Sequence, residues 1–371
     1  MISLIRNVSL MIKSRRFNLL QHASIFGCNV IASFQPENIF YLTGFWGEAI
    51  AICTEGSASL LVPKLEVGRA LQESKECDVI PTERGNDLIY SLISKIDRKV
   101  TCSDCNDQNI ISTIQDQIGK KSFIVNVEPF LLTRIIKDKE EIEMIEEAAK
   151  IIDRLYRICI DEIKAGLSER ELQAKLLFEA MLMGTYPTSY KSSLNPFIIA
   201  GGPNGALPHA QVSDRKFIKG DLIIIDLTLR YMGYIADATR TFALGRATYE
   251  MKKVYDIVKR SQQAGLNALR SNISCSEVDA ICRRIISEEG YSECFIHSTG
   301  HGIGLDVHEP PWLRIKNEEM LKANMAVTVE PGIYLQGKFG IRIEDTVIVG
   351  DQSNGGTRIL NAFTKDLIEL E

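Results

Sequence analysis

The sequence predicts an α/β (α+β) chain of two domains, an N-terminal α/β domain followed by a domain made of a duplicated helix–helix–hairpin unit. Three observations predict it. A length of 371 residues provides for two cores. The first third alternates short apolar runs with helical stretches. The remainder carries Ser-x-x-Glu twice, at Ser168–Glu171 and Ser274–Glu277, each time ahead of the same downstream pattern.

In the first domain, Cys28 to Phe34, Ala49 to Cys53, Ser57 to Val62, Lys99 to Cys102 and Ser122 to Val127 read as strands. Residues 64–75 and 84–96 read as helices, and Met1 to His22, interrupted by Arg6, Lys13, Arg15 and Arg16, reads as an amphipathic helix rather than a signal peptide. His22 is expected to be an exposed or capping residue. Apolar residues at Ile142, Ile145, Ala148, Ala149 and Ile152 have a helical period. The domains are therefore set at 1–136 and 137–371.

Each Ser-x-x-Glu is a capping box, in which the serine accepts from the third amide of the helix and the glutamate reaches back. Each box follows another helical stretch (138–164 and 249–270) and precedes two strand-like runs carrying acids. Asp226 lies 58 residues beyond Ser168, and Glu330 lies 56 beyond Ser274. Duplication accounts for this better than the commonness of capping boxes.

Composition excludes several functions. The net charge of −5 without a Lys/Arg-rich run argues against a nucleic-acid partner, and no apolar run reaches membrane-span length. Nine cysteines without an export signal read as reduced thiols of a cytoplasmic protein. Cys102-Ser-Asp-Cys105 has no second pair with which to form a zinc site, so it reads as two thiols in a turn.

Strand parity brings the acids together. With a two-residue turn at Met232-Gly233, Asp226 faces Thr239 and Asp237 faces Thr228. The aspartates then share a face as diagonal neighbours, ~7–8 Å apart at Cα. Glu330 and Glu344 fall opposite each other if the second hairpin has an odd loop such as residues 335–339. Any one of these acids alone would read as a surface residue. Four at matching parity would repel one another unless neutralised, and two divalent cations supply the opposite charge. Four of the five histidines fall between or beside the pairs: His209, His297, His301 and His308. His301 lies between Gly300 and Gly302, which admit close backbone approach. The spacing of Gly300, Gly302 and Gly304 does not fit a nucleotide loop.

Gly220-Asp-Leu-Ile-Ile-Ile-Asp226, Gly233-Tyr-Ile-Ala-Asp237-Ala-Thr-Arg-Thr, Gly300-His301-Gly-Ile-Gly, Val307-His308-Glu, Glu330-Pro-Gly-Ile-Tyr and Arg342-Ile-Glu344-Asp resemble, in order and spacing, the pita-bread metallopeptidases. That family includes Xaa-Pro dipeptidase (prolidase) and aminopeptidase P. Tyr41-Leu-Thr-Gly-Phe45 is similar to the family's N-terminal domain.

The resemblance implies two divalent ions (Mn, Co or Zn) held by Asp226, Asp237, His301, Glu330 and Glu344, with Asp237 and Glu344 bridging. It implies hydrolysis of the Xaa-Pro bond of dipeptides or short peptides by a hydroxide shared between the ions. Glu330 would be the proton carrier, His209 and His308 the partners of the substrate carbonyl or oxyanion, and His297 a wall beside the scissile bond. Arg342 would orient a ligand. A homodimer is also implied. Two positions depart from the family. Trp312 stands where prolidases often carry a carboxylate-binding arginine, which leaves aminopeptidase P open. Thr228 stands where many members have glycine, and no effect on metal binding is expected from it. The alternatives are a non-catalytic binding protein on the same fold, disfavoured by the intact ligand set, and a metalloaminopeptidase without proline preference, disfavoured by the sizeable first domain.

Overall fold

The computed structural model describes residues 2–188, 193–351 and 355–371. Its backbone packing separates two units, Met1–Arg134 and Ile135–Glu371.

The first unit runs α1 (Ile2–Ser24), β1 (Val30–Ser33), α2 (Pro36–Thr43), β2 (Ile50–Thr54), β3 (Ser57–Pro63), α3 (Val67–Glu73), β4 (Asp78–Thr82), α4 (Asn86–Ile96), β5 (Thr101–Ser103), α5 (Gln108–Ile118), β6 (Phe123–Val125) and α6 (Glu128–Arg134). The strands form one mixed sheet in the order β4-β3-β2-β1-β5-β6. Period-two alternation divides its side chains between two cores. Ile50, Ile52 and Leu61 pack with Leu92 and Ile114 of α4 and α5, whereas Ala51, Leu60 and Val62 pack with Ile39 and Ala70 of α2 and α3. Covering on both faces explains why β1 reads Val-Ile-Ala-Ser with every residue buried.

β1 and β6 lie inside the expected strands, whereas β2, β3 and β5 each end one residue beyond them. The stretch expected as helix 64–75 is a 3₁₀ turn at Lys64–Glu66 followed by α3. Strand β4 and helix α5 are not among the elements expected from the sequence. His22 is half-buried rather than exposed, with Nδ1 2.8 Å from Thr133 Oγ1. All nine cysteines are free thiols. Burial pushes Cys102 up to about 12 and raises Cys105, so neither has the thiolate character of a redox pair. The residue between them that matters is Asp104, whose carboxylate accepts from Ser33 Oγ, Phe34 N and Asn38 Nδ2 at 2.6–2.8 Å.

The second unit runs α7 (Lys139–Glu162), α8 (Glu169–Leu182), β7 (Tyr186–Pro187), β8 (Phe197–Gly201), β9 (Leu222–Tyr231), β10 (Tyr234–Leu244), α9 (Tyr249–Ala268), α10 (Cys275–Glu288), β11 (Gly300–Gly302), β12 (Glu309–Leu313), β13 (Ala326–Val329), β14 (Gly332–Leu335), β15 (Phe339–Arg342), β16 (Asp345–Ile348), β17 (Arg358–Ile359) and β18 (Glu369–Leu370). The order helix, helix, hairpin occurs twice. Ser168 opens α8 with a complete capping box. Ser274 opens α10 by accepting from the Glu277 amide at 3.2 Å. The β9–β10 hairpin closes on Met232 and Gly233, with φ of 48° and 91°, the left-handed pair that a two-residue turn requires.

The second hairpin keeps the expected register but is broken in the middle. β13 pairs with β16 (Val329 opposite Asp345), and β14 pairs with β15 (Gly332 opposite Arg342) around a loop of residues 336–338. Pro331 lies at the break and has no N–H to give a ladder. The two hairpins meet at a bridge, Thr239 to Glu344, with Glu344 N donating to Thr239 O at 3.1 Å. From behind, α7 supplies Tyr156, whose hydroxyl donates to Ala238 O at 2.5 Å, and α9 and α10 bury Val254, Ile257, Val258, Val278 and Cys282 against Val327, Val329 and Val347.

Candidate active site

The seam between the hairpins decides where the acids point. Asp237 faces Thr228 across β9–β10, and Asp226 faces Thr239, which puts both aspartates on the same side of the sheet. Glu330 and Glu344 lie at the two ends of the break in the second hairpin, next to the paired Val329 and Asp345. Free of ladder pairing along its own hairpin, Glu344 turns to the bridge with Thr239.

His301 is placed by close backbone approach. A Cβ at Gly300 would overlap the Thr328 carbonyl oxygen, and one at Gly302 would overlap the Pro310 carbonyl. Only glycine at both positions lets the short strand β11 sit between β12 and β13.

These elements enclose a cavity of about 190 Å³, lined by Asp226, Asp237, Glu330, Glu344, His209, His297, His301, His308 and Arg342. Every residue expected from sequence to bind metal or act on substrate is thus brought to one place. Side-chain atoms of Asp237, His301 and Glu344 that could ligate a metal lie within 4.8 Å of one another, and His301 Nε2 lies 3.6 Å from Glu330 Oε1. His301 and His308 meet edge to face, with ring centroids 4.4 Å apart. Trp312 closes the same wall, 5.9 Å from the His308 ring.

The electrostatics are those of an unbalanced site. Against four carboxylates, Arg342 is the one basic side chain other than histidine among the described lining residues. It is committed: Nη2 donates to Asp226 Oδ2 at 2.6 Å, Nη1 to the Tyr334 hydroxyl at 2.7 Å, and Nε to Thr239 Oγ1 at 3.1 Å. Burial first, and then the neighbouring acids, raise Asp237 and Glu344 well above the ordinary carboxylate range. Burial pushes Glu330 up to about 8 against the pull of Arg342. Burial pushes His297 and His301 down to about 3 and lowers His209 and His308, so the imidazoles are neutral and able to ligate or to donate one hydrogen bond.

Two carboxylate oxygens, Asp226 Oδ1 and Glu344 Oε1, are buried and have no hydrogen-bond partner among the described residues. A buried acceptor left bare costs about 1–3 kcal/mol, more for a charged one. A cation removes that cost, and carboxylate oxygens with neutral imidazole suit a divalent transition metal. The residues present therefore fit divalent ions.

Sequence reasoning missed several contacts. Thr228 Oγ1 donates to Asp237 Oδ1 at 3.0 Å, so the departure from glycine touches a candidate ligand directly. Thr239 Oγ1 donates to Glu344 Oε2 at 2.6 Å. Tyr334 bridges Arg342 and His297, its oxygen 2.8 Å from His297 Nε2. Parity alone could have flagged the two threonines, because they stand opposite the aspartates. Nothing local marks Tyr334.

A family model described as metallopeptidase family M24 matches residues 143–351, and one described as creatinase/prolidase N-terminal domain matches residues 15–130. An Xaa-Pro dipeptidase of Pyrococcus furiosus is 35% identical over 327 residues, covering 88% of this chain and 91% of the relative. Among solved structures, an Xaa-Pro dipeptidase from Bacillus anthracis superposes with a TM-score of 0.87 at 29% identity, covering 97% of this chain and all of the other. An X-Pro aminopeptidase from Thermotoga maritima superposes with a TM-score of 0.84 at 31% identity, covering 94% of this chain and all of the other. The fold is the pita-bread fold, with an N-terminal domain ahead of the catalytic one. The chain belongs to metallopeptidase family M24 and is a metal-dependent peptidase.

Proposed function

We propose that this peptidase hydrolyses the Xaa-Pro bond of dipeptides or short peptides, with two divalent ions held by Asp226, Asp237, His301, Glu330 and Glu344. The observation that carries the reading is the convergence of four carboxylates and His301 on one small cavity, with Asp226 Oδ1 and Glu344 Oε1 buried and lacking a donor among the described residues. The names of the relatives supply the proline preference.

Bound ions of this kind lower the pKa of water and polarise a peptide carbonyl. The chain's own groups do the remainder. Glu330 lines the same cavity, and its carboxylate, freed of its proton when ions are bound, could take a proton from the attacking water and pass it to the departing amine. Neutral His209 and His308 each present one N–H to the substrate carbonyl oxygen as it gains charge. His297 is held by Tyr334 and walls the pocket. Arg342 orients Asp226.

The working domains in this reading are 1–136 and 137–371. Mn, Co or Zn are the candidate ions, because carboxylate and imidazole accept all three. A cytoplasmic homodimer is the working assembly; its cytoplasmic half is supported by nine free cysteines. Among the described residues no helix is long and apolar enough to cross a membrane.

A second reading, the aminopeptidase P type, is favoured by one observation: Trp312 lines the cavity where a prolidase often has arginine for the free carboxylate. Cleavage of an Xaa-Pro dipeptide and an Xaa-Pro-Xaa tripeptide, each with Mn²⁺ and Co²⁺, tests both. A faster dipeptide supports prolidase, a faster tripeptide supports the aminopeptidase, and cleavage of neither contradicts the proposal.

A further inference from the structure

Among the buried acids that the mechanism leaves unused are two, one in the second helix of each repeat. Glu169, in the first turn of α8, has no exposed surface, and Asp279, in α10, is 1% exposed. Each ties down the connection that delivers an active-site histidine.

Glu169 gathers both ends of the segment from Gly201 to Ser213. Its Oε1 accepts from Gly201 N at 2.9 Å and Asn204 Nδ2 at 3.0 Å. Its Oε2 accepts from Ser213 N at 3.0 Å, Ser213 Oγ at 2.6 Å and Asn204 Nδ2 at 3.2 Å. His209 lies in the span so closed, one residue beyond Pro208, whose carbonyl accepts from Arg342 Nη1 at 3.3 Å. Asp279 does the equivalent for the second repeat. Its Oδ1 accepts from Thr299 N at 3.2 Å and Thr299 Oγ1 at 2.8 Å, and its Oδ2 accepts from Arg283 Nε at 2.7 Å. Arg283 in turn donates to the carbonyls of Phe295 and His297.

We propose that Glu169 and Asp279 are positioning residues, Glu169 for His209 and Asp279 for His297. The chemistry requires carboxylates. Glu169 meets donors only, and an ionised carboxylate accepts on both oxygens and donates from neither. Glutamine at 169 would turn an NH₂ toward the Ser213 and Asn204 donors, break the closure and let His209 drift. A displacement of about 1 Å at a catalytic group costs up to roughly 100-fold in rate.

The inference rests on the peptidase reading, so its test has an arm that needs no turnover. The protein has five histidines, few enough to resolve the imidazole signals of a ¹⁵N-histidine-labelled, metal-free sample. Glu169→Gln should shift the His209 signal and leave His297 in place, and Asp279→Asn should do the reverse. In the second arm, kcat and KM on an Xaa-Pro-Xaa tripeptide are measured with Mn²⁺. Glu169→Gln should lower kcat roughly 10- to 100-fold. It should have no further effect in a His209→Ala background and its full effect in a His297→Ala background; Asp279→Asn should show the opposite pattern. If either amide variant fails to fold, Glu169→Asp and Asp279→Glu, which keep the charge and alter the reach, are read in the same way.

Equal shifts of all the histidine signals, or an undiminished kcat loss in the matching histidine background, would show general loosening and overturn the proposal. So would unchanged signals and unchanged kcat. If the wild-type protein cleaves no Xaa-Pro peptide while the signals move as expected, the substrate reading fails and the positioning roles stand.

Discussion

Replacing Thr228 with valine removes one hydroxyl and keeps the side chain's shape. In the folded chain that hydroxyl donates to Asp237 Oδ1 at 3.0 Å, with Thr228 9% and Asp237 5% exposed. Asp237 is the proposed bridging ligand, so the hydroxyl fixes which way its carboxylate faces. A hydrogen bond to a charged group contributes about 1.5–3 kcal/mol, and loss of a partner behind a metal ligand costs roughly 10- to 100-fold in metal affinity. The two figures agree, since each 1.4 kcal/mol is about tenfold. The expectation is therefore a Mn²⁺ Kd raised by roughly 10- to 100-fold in Thr228→Val, with Thr228→Ser within about threefold of wild type. Calorimetric titration of chelator-treated protein measures it. Valine and wild-type proteins binding Mn²⁺ alike would refute the argument that this hydroxyl orients the bridge.

Asp237→Asn removes a charge as well as a ligand atom; metal content should drop and activity should fall roughly 100-fold or more, as read by elemental analysis beside a cleavage assay. Lys137 and Glu309 form a buried ion pair at 2.5 Å, so Lys137→Met should cost about 3–5 kcal/mol in urea unfolding, and Lys137→Met with Glu309→Leu should recover most of it. The metal-free protein should become less stable as pH rises. Glu330, raised to about 8, still holds its proton in the folded state at pH values where the unfolded chain, near 4.5, has lost it. Stability from this group is therefore highest below about 4.5 and is lost toward about 8. Bound ions take the proton's place, so the rise in Tm on adding Mn²⁺ should grow from about pH 5 to pH 8; a constant or shrinking rise would contradict the assignment.

How much of this was legible in the sequence depends on the range of each interaction. The aspartates were legible because a ten-residue strand and a two-residue turn leave a single register, and parity then fixes the face of every side chain. Glu330 and Glu344 were legible by the same rule, but the break at Pro331 was not taken into account, and with it went the turn of Glu344 toward Thr239. Ser168 and Ser274 were legible as helix starts because Ser-x-x-Glu is written in four residues, though of the two Ser168 alone forms the full capping box. Glu169, Asp279 and the Lys137–Glu309 pair were not. Apart from Arg283, four residues from Asp279, their partners lie 20–172 residues away, and no local pattern distinguishes a buried acid with distant donors from an exposed one. The N-terminal Cys-x-x-Cys drew notice to the wrong atoms, because the group that organises that turn is the Asp104 carboxylate between them.

The central claim is that Asp226, Asp237, His301, Glu330 and Glu344 are arranged for a pair of cations. Anomalous diffraction from crystals grown with Mn²⁺ tests it most directly. The account predicts two peaks in the cavity, with Asp237 and Glu344 each contacting both. A single peak, or manganese bound away from these side chains, would contradict it.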